Sequence, residues 1–291
     1  MAERPLLVGL ADLAELVRAP AALSVPGDTL AGAAAGGTLS PASALMPLAS
    51  ICLYWSGMAL NDYADRALDA VERPERPIPS GRVAPGTALG IAAGLTVAGV
   101  TTAALAGGRP AARTAVLLTA AVWSYDLVLK NGPAGPAAMA AARGLDVLLG
   151  AGRTPGAAAA PALLVAAHTA GVTALSRGEV HGTRSATAAS VTAVTGVVAG
   201  LTAWRARGRG RGAVLPAVLA ATYAVAVGRA QARAVSDPSA PTVRTATGAG
   251  IRGLVPLQAG LLAGSDAPRT AVALLAAAPA AAWASKVVSP T

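Results

Sequence analysis

The sequence predicts an all-α integral membrane protein, built as a bundle of about nine transmembrane helices plus an extra C-terminal helix. Of its 291 residues, 54% are hydrophobic and only 13% are charged, whereas roughly a quarter of the residues of a soluble domain are charged. Apolar runs close to the ~20 residues that cross a bilayer recur along the chain. Residues 1–291 are therefore expected to form one transmembrane domain.

The candidate spans follow one another with short polar connections. The first, about residues 10 to 36, contains Pro20 and Pro26, so it is expected to be kinked or preceded by an interfacial helix. The ninth span carries Arg252 and Pro256 and is expected to be irregular. The spans after the first are about 41 to 60, 86 to 106, 111 to 129, 134 to 152, 158 to 176, 187 to 204, 213 to 231, 242 to 264 and 268 to 286.

The basic residues lie mainly between the apolar runs, which favours a membrane explanation for the net charge of +9 over nucleic-acid binding. If the N-terminus is cytoplasmic, the connections after the second, fourth, sixth and eighth spans face the cytoplasm and are rich in arginine. The basic run at 205–211 falls on the opposite side and conflicts with this orientation. We expect a multi-pass protein of the cell membrane whose partners include the lipid bilayer and no nucleic acid.

Three aspartates follow the second span. Asp62, Asp65 and Asp69 are three and four positions apart, so they share one face of a helix. Like charges on one face repel unless a cation lies between them. Mg²⁺ binds carboxylate oxygens and completes its shell with water and substrate phosphates, so this face is a candidate magnesium diphosphate site. The alternative is a solvated acidic helix end that neighbouring arginines neutralise.

Arginines follow directly in the connection, at Arg73, Arg76 and Arg82. The guanidinium group binds phosphate oxygens in a bidentate way, so these side chains are candidate diphosphate ligands.

The whole string, Asn-Asp-x-x-Asp-x-x-x-Asp and then Arg-Pro-x-Arg-Pro-Ile-Pro-Ser-Gly-Arg over residues 61–82, resembles the first signature of the UbiA-type membrane prenyltransferases. The resemblance implies a UbiA-like bundle. It also implies that an isoprenyl diphosphate, bound through Mg²⁺, is ionised, and that the carbocation passes to an aromatic or other lipid-soluble acceptor, here unidentified. By the same resemblance, the residues that hold the diphosphate are Asn61, Asp62, Asp65 and Asp69, with Arg73 and Arg76 close by.

Other positions follow that family less closely. Tyr125 and Lys130, at the end of the fourth span, resemble its tyrosine and lysine pair that faces the diphosphate, but the spacing is one residue longer. Lys130 is a candidate catalytic residue and Tyr125 a candidate substrate ligand. The alternative for Lys130 is a lysine that extends to the membrane interface.

Arg143 and Asp146 lie three positions apart inside the fifth span. Charges at membrane depth cost roughly 2.5 kcal/mol or more each and usually face a cavity or one another. We therefore consider two interpretations, a polar wall of the substrate pocket and a mutually neutralising structural pair. His168, in the sixth span, is expected to be a core histidine.

The connection after the sixth span departs from the resemblance. The family shows a second acidic motif there, whereas Ser176 to Gly182 contains Glu179 as its one acid. Either Glu179, helped by His181, suffices as a second metal ligand and catalytic residue, or the second metal is weak or missing and Arg177 binds a phosphate directly. This departure resembles a divergent, EboC-like branch of the family.

The leading hypothesis is therefore a Mg²⁺-dependent membrane prenyltransferase. The alternative is a non-catalytic protein of the same fold that binds or moves a prenyl lipid. A transporter is disfavoured because the sequence shows no internal repeat.

Overall fold

The structure, a computed structural model, describes residues 9–19, 22, 25–40, 44–207 and 210–288, without the side chains of residues 211 and 281–288. The described residues form ten α-helices and no strand. The helices are α1 (Leu10–Leu16), α2 (Pro26–Ala35), α3 (Leu45–Glu72), α4 (Pro85–Ser124), α5 (Gly135–Gly150), α6 (Ala159–Ser176), α7 (Ser185–Arg205), α8 (Val214–Ser236), α9 (Ala240–Ala263) and α10 (Pro268–Val288).

The prediction of an all-helical membrane fold is confirmed. Within the described ranges, four helical segments are long and apolar enough to cross a membrane: Pro85–Leu129, Pro155–Ser176, Ser185–Arg205 and Val214–Ser236. Every predicted span overlaps an observed helix. The agreement arises because apolar length is a local property of the sequence that the tertiary fold does not change.

The first predicted span is divided between α1 and α2. Arg18, just after α1, has a φ of 47°, which turns the chain out of the helix. Pro26 begins α2, the position where the missing N–H of proline costs nothing. Pro20 lies outside the described residues. The expected break in this span is thus present, and α1 is a short separate helix.

A single residue separates the two arms of α4. Gly108 has a φ of 67° and a ψ of −157°, a conformation that glycine adopts without steric cost. This break matches the predicted boundary between the third and fourth spans. In contrast, α9 continues unbroken through Pro256, so the expected irregular ninth span is wrong. Packing of α9 against α2, α6 and α8 holds this helix in place despite its proline.

The helices α2 and α5 approach each other through glycine. A Cβ atom on Gly32 would collide with the carbonyl oxygen of Val147, and one on Gly150 would collide with the carbonyl oxygen of Thr29. Small residues allow such backbone contact between membrane helices. This contact brings the buried Asp28 of α2 beside the polar residues of α5.

Candidate active site

A cavity of about 490 Å³ lies between the helices of the bundle. The lining residues of α3 recur at helical spacing and so form one face: Ser50, Leu53, Tyr54, Gly57, Met58 and Asn61. The lining residues of α5 do the same: Met139, Ala142, Arg143 and Asp146. The first and last cavity-lining residues of α3, Ser50 and Asn61, are polar, and the lining residues between them are mostly apolar. The cavity is therefore an apolar chamber with two polar ends.

Two of the predicted aspartates share one arginine near the Asn61 end. Arg76 Nη1 lies 3.3 Å from Asp62 Oδ1 and 2.8 Å from Asp69 Oδ2. Both carboxylates are buried, at 4% and 2% exposure. Arg73 adds a longer contact of 3.5 Å from its Nη1 to Asp69 Oδ1. One positively charged nitrogen therefore lies between two buried carboxylates.

Asp62 also binds Arg18, a residue that the sequence analysis did not identify. Arg18 Nη2 donates to Asp62 Oδ1 over 3.0 Å. The left-handed backbone of Arg18 is uncommon for a residue with a side chain, and such strain is often found at functional sites. No local spacing relates Arg18 to Asp62, because the two residues are 44 positions apart in the chain.

Arg82 holds α1, the helix that precedes Arg18. Its guanidinium group donates to the carboxylates of Glu15, over 2.8 Å, and of Asp12. The hydrogen bond to Glu15, followed by the one to Asp12, raises the pKa of Arg82 above its usual value. Arg82 thus binds α1 in this structure, whereas the sequence suggested it as a phosphate ligand.

The third aspartate faces a different cation. Lys130 Nζ lies 2.6 Å from Asp65 Oδ1. Lys130 follows a π-helical segment, Tyr125–Leu129, and its backbone N–H donates to the Tyr125 carbonyl over 2.9 Å. A π-helical turn contains one residue more than an α-helical turn. It therefore absorbs the extra residue between Tyr125 and Lys130 and brings Lys130 to Asp65.

Asp126, inside the π-helical segment, was also missed as a site residue. It is 4% exposed, lines the cavity and accepts a hydrogen bond of 3.0 Å from Asn61 Nδ2. The altered spacing before Lys130 was the signal in the sequence, because an inserted residue in a helix places a new side chain on the inner face. Tyr125 lines the same part of the cavity.

The residues after α6 contribute less than the first motif. Glu179 is half-buried and lines the cavity, whereas Arg177 and His181 are exposed. Arg177 Nη2 lies 3.4 Å from the Asn131 carbonyl. Among the described residues, no group of three or more His, Cys, Asp or Glu side chains is placed to hold a metal ion by itself. The four predicted metal ligands, Asp62, Asp65, Asp69 and Glu179, thus do not converge on one point.

Arg143 and Asp146 do not pair with each other. Arg143 Nη2 lies 2.7 Å from Asp28 Oδ2 on α2. Asp146 Oδ1 instead accepts a hydrogen bond of 2.5 Å from Ser50 Oγ. Both Arg143 and Asp146 line the cavity, at the Ser50 end.

His168 lines the cavity and uses both ring nitrogens. Nε2 lies 3.1 Å from the Gly250 carbonyl, which can only accept, so this nitrogen carries the proton. Nδ1 then accepts from the Tyr223 hydroxyl over 2.9 Å. His168 is therefore an interhelical hydrogen-bonding residue of the core, as the sequence suggested.

Comparison with known proteins gives consistent results. Residues 23–240 match the UbiA prenyltransferase family. Digeranylgeranylglyceryl phosphate synthase of Natronomonas pharaonis is 38% identical over 157 residues, which cover 53% of this chain and 56% of that protein. The protein of the same name from Methanopyrus kandleri is 38% identical over 99 residues, or 34% of this chain and 36% of that one. The chain thus matches about half the length, or less, of these relatives.

A solved structure also has this fold. It is described as giving structural and mechanistic insights into the biosynthesis of digeranylgeranylglyceryl phosphate synthase in membranes. The TM-score is 0.69, and the match covers 88% of this chain and 98% of the other at 17% identity. At that identity the likeness shows the fold alone.

Proposed function

Because the chain belongs to the UbiA prenyltransferase family, we propose that it is a membrane-embedded enzyme that transfers an isoprenyl group from an isoprenyl diphosphate to a lipid-soluble or aromatic acceptor. The observation that carries the proposal is the arrangement of buried aspartates and cations at one end of an apolar cavity. Such an arrangement provides a charged site for a diphosphate head and a hydrocarbon chamber for the prenyl chain.

The residues fit a requirement for Mg²⁺. Arg76 Nη1 lies within 3.3 Å of Asp62 Oδ1 and 2.8 Å of Asp69 Oδ2, so the two carboxylates already accommodate a positive charge between them. Mg²⁺ usually takes only one or two protein carboxylates and completes its shell with water and substrate phosphates. Asp62 and Asp69 would hold the ion. When bound, Mg²⁺ neutralises the charge that develops on the departing diphosphate.

The cations around the aspartates are the proposed diphosphate ligands. Arg18, Arg76 and Lys130 each contact an aspartate and are largely shielded from solvent, with side-chain exposures of 33%, 20% and 13%. Arginine binds phosphate oxygens in a bidentate way, and lysine binds them as a point charge. Together they position the diphosphate and stabilise its negative charge as the bond to the prenyl carbon breaks. Tyr125 and Glu179 also line the cavity.

The apolar walls of the cavity have a chemical role in this proposal. Leu53, Leu118, Val122 and Val172 line the chamber beyond the charged end. A chamber of this kind excludes water, which would otherwise capture the allylic carbocation before the acceptor does. The electron pair of the breaking carbon–oxygen bond leaves with diphosphate, and the acceptor supplies the pair for the new bond and loses a proton.

The positive-inside rule supports an orientation in the cell membrane with this charged end on the cytoplasmic side. The connection that carries Arg73, Arg76 and Arg82 lies at that end.

The test uses the chain in lipid nanodiscs with Mg²⁺, labelled geranylgeranyl diphosphate and a panel of aromatic and hydroxyl-bearing acceptors, with release of diphosphate as the readout. We expect Asp62→Asn and Asp69→Asn to weaken Mg²⁺-dependent diphosphate binding about ten-fold or more, since each variant loses one of the two carboxylates proposed to hold the ion. Glu72→Gln, which changes an exposed acid at the end of the same helix, is the matched control.

Two results contradict the proposal in different ways. Unchanged binding in both aspartate variants would remove the site assignment. Tight binding without turnover across the acceptor panel would favour the non-catalytic prenyl-lipid protein.

A further inference from the structure

Asp146, at the inner end of the cavity, has a carboxylate oxygen with no hydrogen-bond partner in the part of the chain that the structure describes. Asp146 is 4% exposed and lines the cavity. Its Oδ1 accepts the hydrogen bond from Ser50 Oγ, but its Oδ2 is buried and has no hydrogen-bond partner among the described residues. Buried polar atoms are nearly always satisfied, and an orphaned one costs stability. An unsatisfied carboxylate on a residue that lines a cavity therefore points to a ligand that supplies the missing bond.

The neighbouring cation does not fill this role. Arg143 forms an ion pair with Asp28: Nη2 of Arg143 lies 2.7 Å from Oδ2 of Asp28. Asp28 is fully buried, and its Oδ1 also accepts a hydrogen bond of 2.7 Å from Gln258 Nε2. One arginine thus stands against two acidic side chains, Asp28 and Asp146. Among the described residues that line this end of the cavity, no second positive charge remains to bind an anion.

We propose that Asp146 and Ser50 form a subsite that binds a neutral hydroxyl group of the acceptor. A hydroxyl donates to a carboxylate and accepts from a carboxylic acid, so it satisfies Oδ2 in either protonation state of Asp146. The prenyl chain is a hydrocarbon and cannot form this bond, and a phosphate or carboxylate would meet Asp146 without a free cation. The inference rests on the proposed function, because it names the class of acceptor for that same cavity.

The position of the subsite defines its role. Asn61 lies eleven positions after Ser50 on the same face of α3, which corresponds to about 16 Å along the helix axis. The diphosphate head is placed at the Asn61 end, so the subsite is remote from the breaking bond. Asp146 and Ser50 are therefore positioning residues that fix the distal end of the acceptor.

The test compares three photoreactive probes of equal chain length that differ only at the head: a long-chain alcohol, its methyl ether and its carboxylate. The full chain in nanodiscs is irradiated with each probe, and labelled peptides of α3 and α5 are measured by mass spectrometry. We expect the alcohol to label these cavity segments about ten-fold more than either of the other probes, which corresponds to one hydrogen bond to a charged group. Equal labelling by alcohol and ether in the unmodified chain would overturn the proposal.

Variants locate the effect. Asp146→Ala and Ser50→Ala should reduce alcohol labelling toward the ether level, whereas Asp146→Asn, which keeps polar atoms at the site, should retain part of it. Ser56→Ala is the matched control, because Ser56 is also a buried serine of α3 but bonds the Ala92 carbonyl and does not line the cavity. Full labelling in both Asp146→Ala and Ser50→Ala would overturn the proposal.

Binding of labelled geranylgeranyl diphosphate with Mg²⁺, measured in the same samples, separates the two proposals. We expect Asp146→Ala to bind the diphosphate within about two-fold of the unmodified chain, since Asp146 lies at the other end of the cavity. Equal labelling by the three probes in the unmodified chain, with intact diphosphate binding, would defeat only the hydroxyl subsite. Absence of Mg²⁺-dependent diphosphate binding in the unmodified chain would defeat the proposed function. The comparison of probes in the unmodified chain does not depend on whether a variant folds.

Discussion

Lys130 Nζ lies 2.6 Å from Asp65 Oδ1, so a single ion pair connects α3 to the π-helical segment that follows α4. Both side chains are largely shielded, with exposures of 13% and 25%. The contact joins a residue of the first acidic motif to a residue whose spacing departs from the family pattern. The π-helical turn therefore accommodates the five-position spacing between Tyr125 and Lys130 and places the lysine beside Asp65.

Replacement of Lys130 tests its proposed contact with the diphosphate. Lys130→Ala should weaken Mg²⁺-dependent binding of geranylgeranyl diphosphate about ten-fold or more, because one charge-assisted contact is lost. Equilibrium binding in nanodiscs measures the effect. Arg66→Ala is the control, since Arg66 is exposed and contacts the Tyr63 carbonyl and ring. An affinity loss of the same size in the control would argue for a general effect of surface charge.

Deletion of Val128 tests the π-helical turn. Val128 is 74% exposed. Its removal would leave Tyr125 and the lysine four positions apart, and residues at that spacing are neighbours on the surface of an α-helix. We therefore expect diphosphate binding within about three-fold of the unmodified chain. A loss as large as that of Lys130→Ala would show that the extra residue is itself required.

Arg76→Gln tests the two carboxylates that share this arginine. The change leaves Asp62 and Asp69 buried with less compensating charge, so we expect the free energy of unfolding without Mg²⁺ to fall by about 2 kcal/mol or more. Added Mg²⁺ should raise the thermal midpoint of the variant more than that of the unmodified chain. Differential scanning fluorimetry in detergent detects both effects as shifts of the thermal midpoint. An identical Mg²⁺ response in the two proteins would contradict a cation site between these carboxylates.

Glycine substitutions test the contact between α2 and α5. Gly32→Ala or Gly150→Ala should lower the free energy of unfolding by about 1–3 kcal/mol or prevent folding, because the new methyl group meets backbone atoms that cannot move aside. The control is Gly196→Ala on α7, where a Cβ atom would meet nothing within 4 Å. Thermal unfolding distinguishes them, and equal stability of all three variants would refute the close contact.

Arg82→Ala tests whether α1 positions Arg18. Loss of the contacts to Asp12 and Glu15 should increase hydrogen exchange in α1, since these bonds attach the helix to the connection after α3. Diphosphate affinity should fall, but less than in Arg18→Ala, because Arg82 acts only through Arg18. A larger effect of Arg82→Ala would instead place Arg82 itself at the diphosphate.

Much of the fold could be predicted from the sequence because the relevant signals are local. Apolar length located the helices, and the polar gap before residue 111 anticipated the break at Gly108. Proline inside α9 misled the prediction, since contacts with neighbouring helices keep that helix continuous through Pro256. Helical propensity reports only on the segment itself, whereas packing is decided by other segments.

For the candidate site, the sequence alone determined the residue types and the face that Asp62, Asp65 and Asp69 share, because helical spacing is a local property. Only the tertiary structure decided the partners: Arg18 for Asp62, Lys130 for Asp65 and Asp28 for Arg143. Each of these pairs joins different helices or connecting segments, and electrostatic attraction acts across space without regard to distance along the chain. The surroundings of Asp146, which has an oxygen without a hydrogen-bond partner among the described residues, belong to the same class, because several helices together form the cavity that it lines.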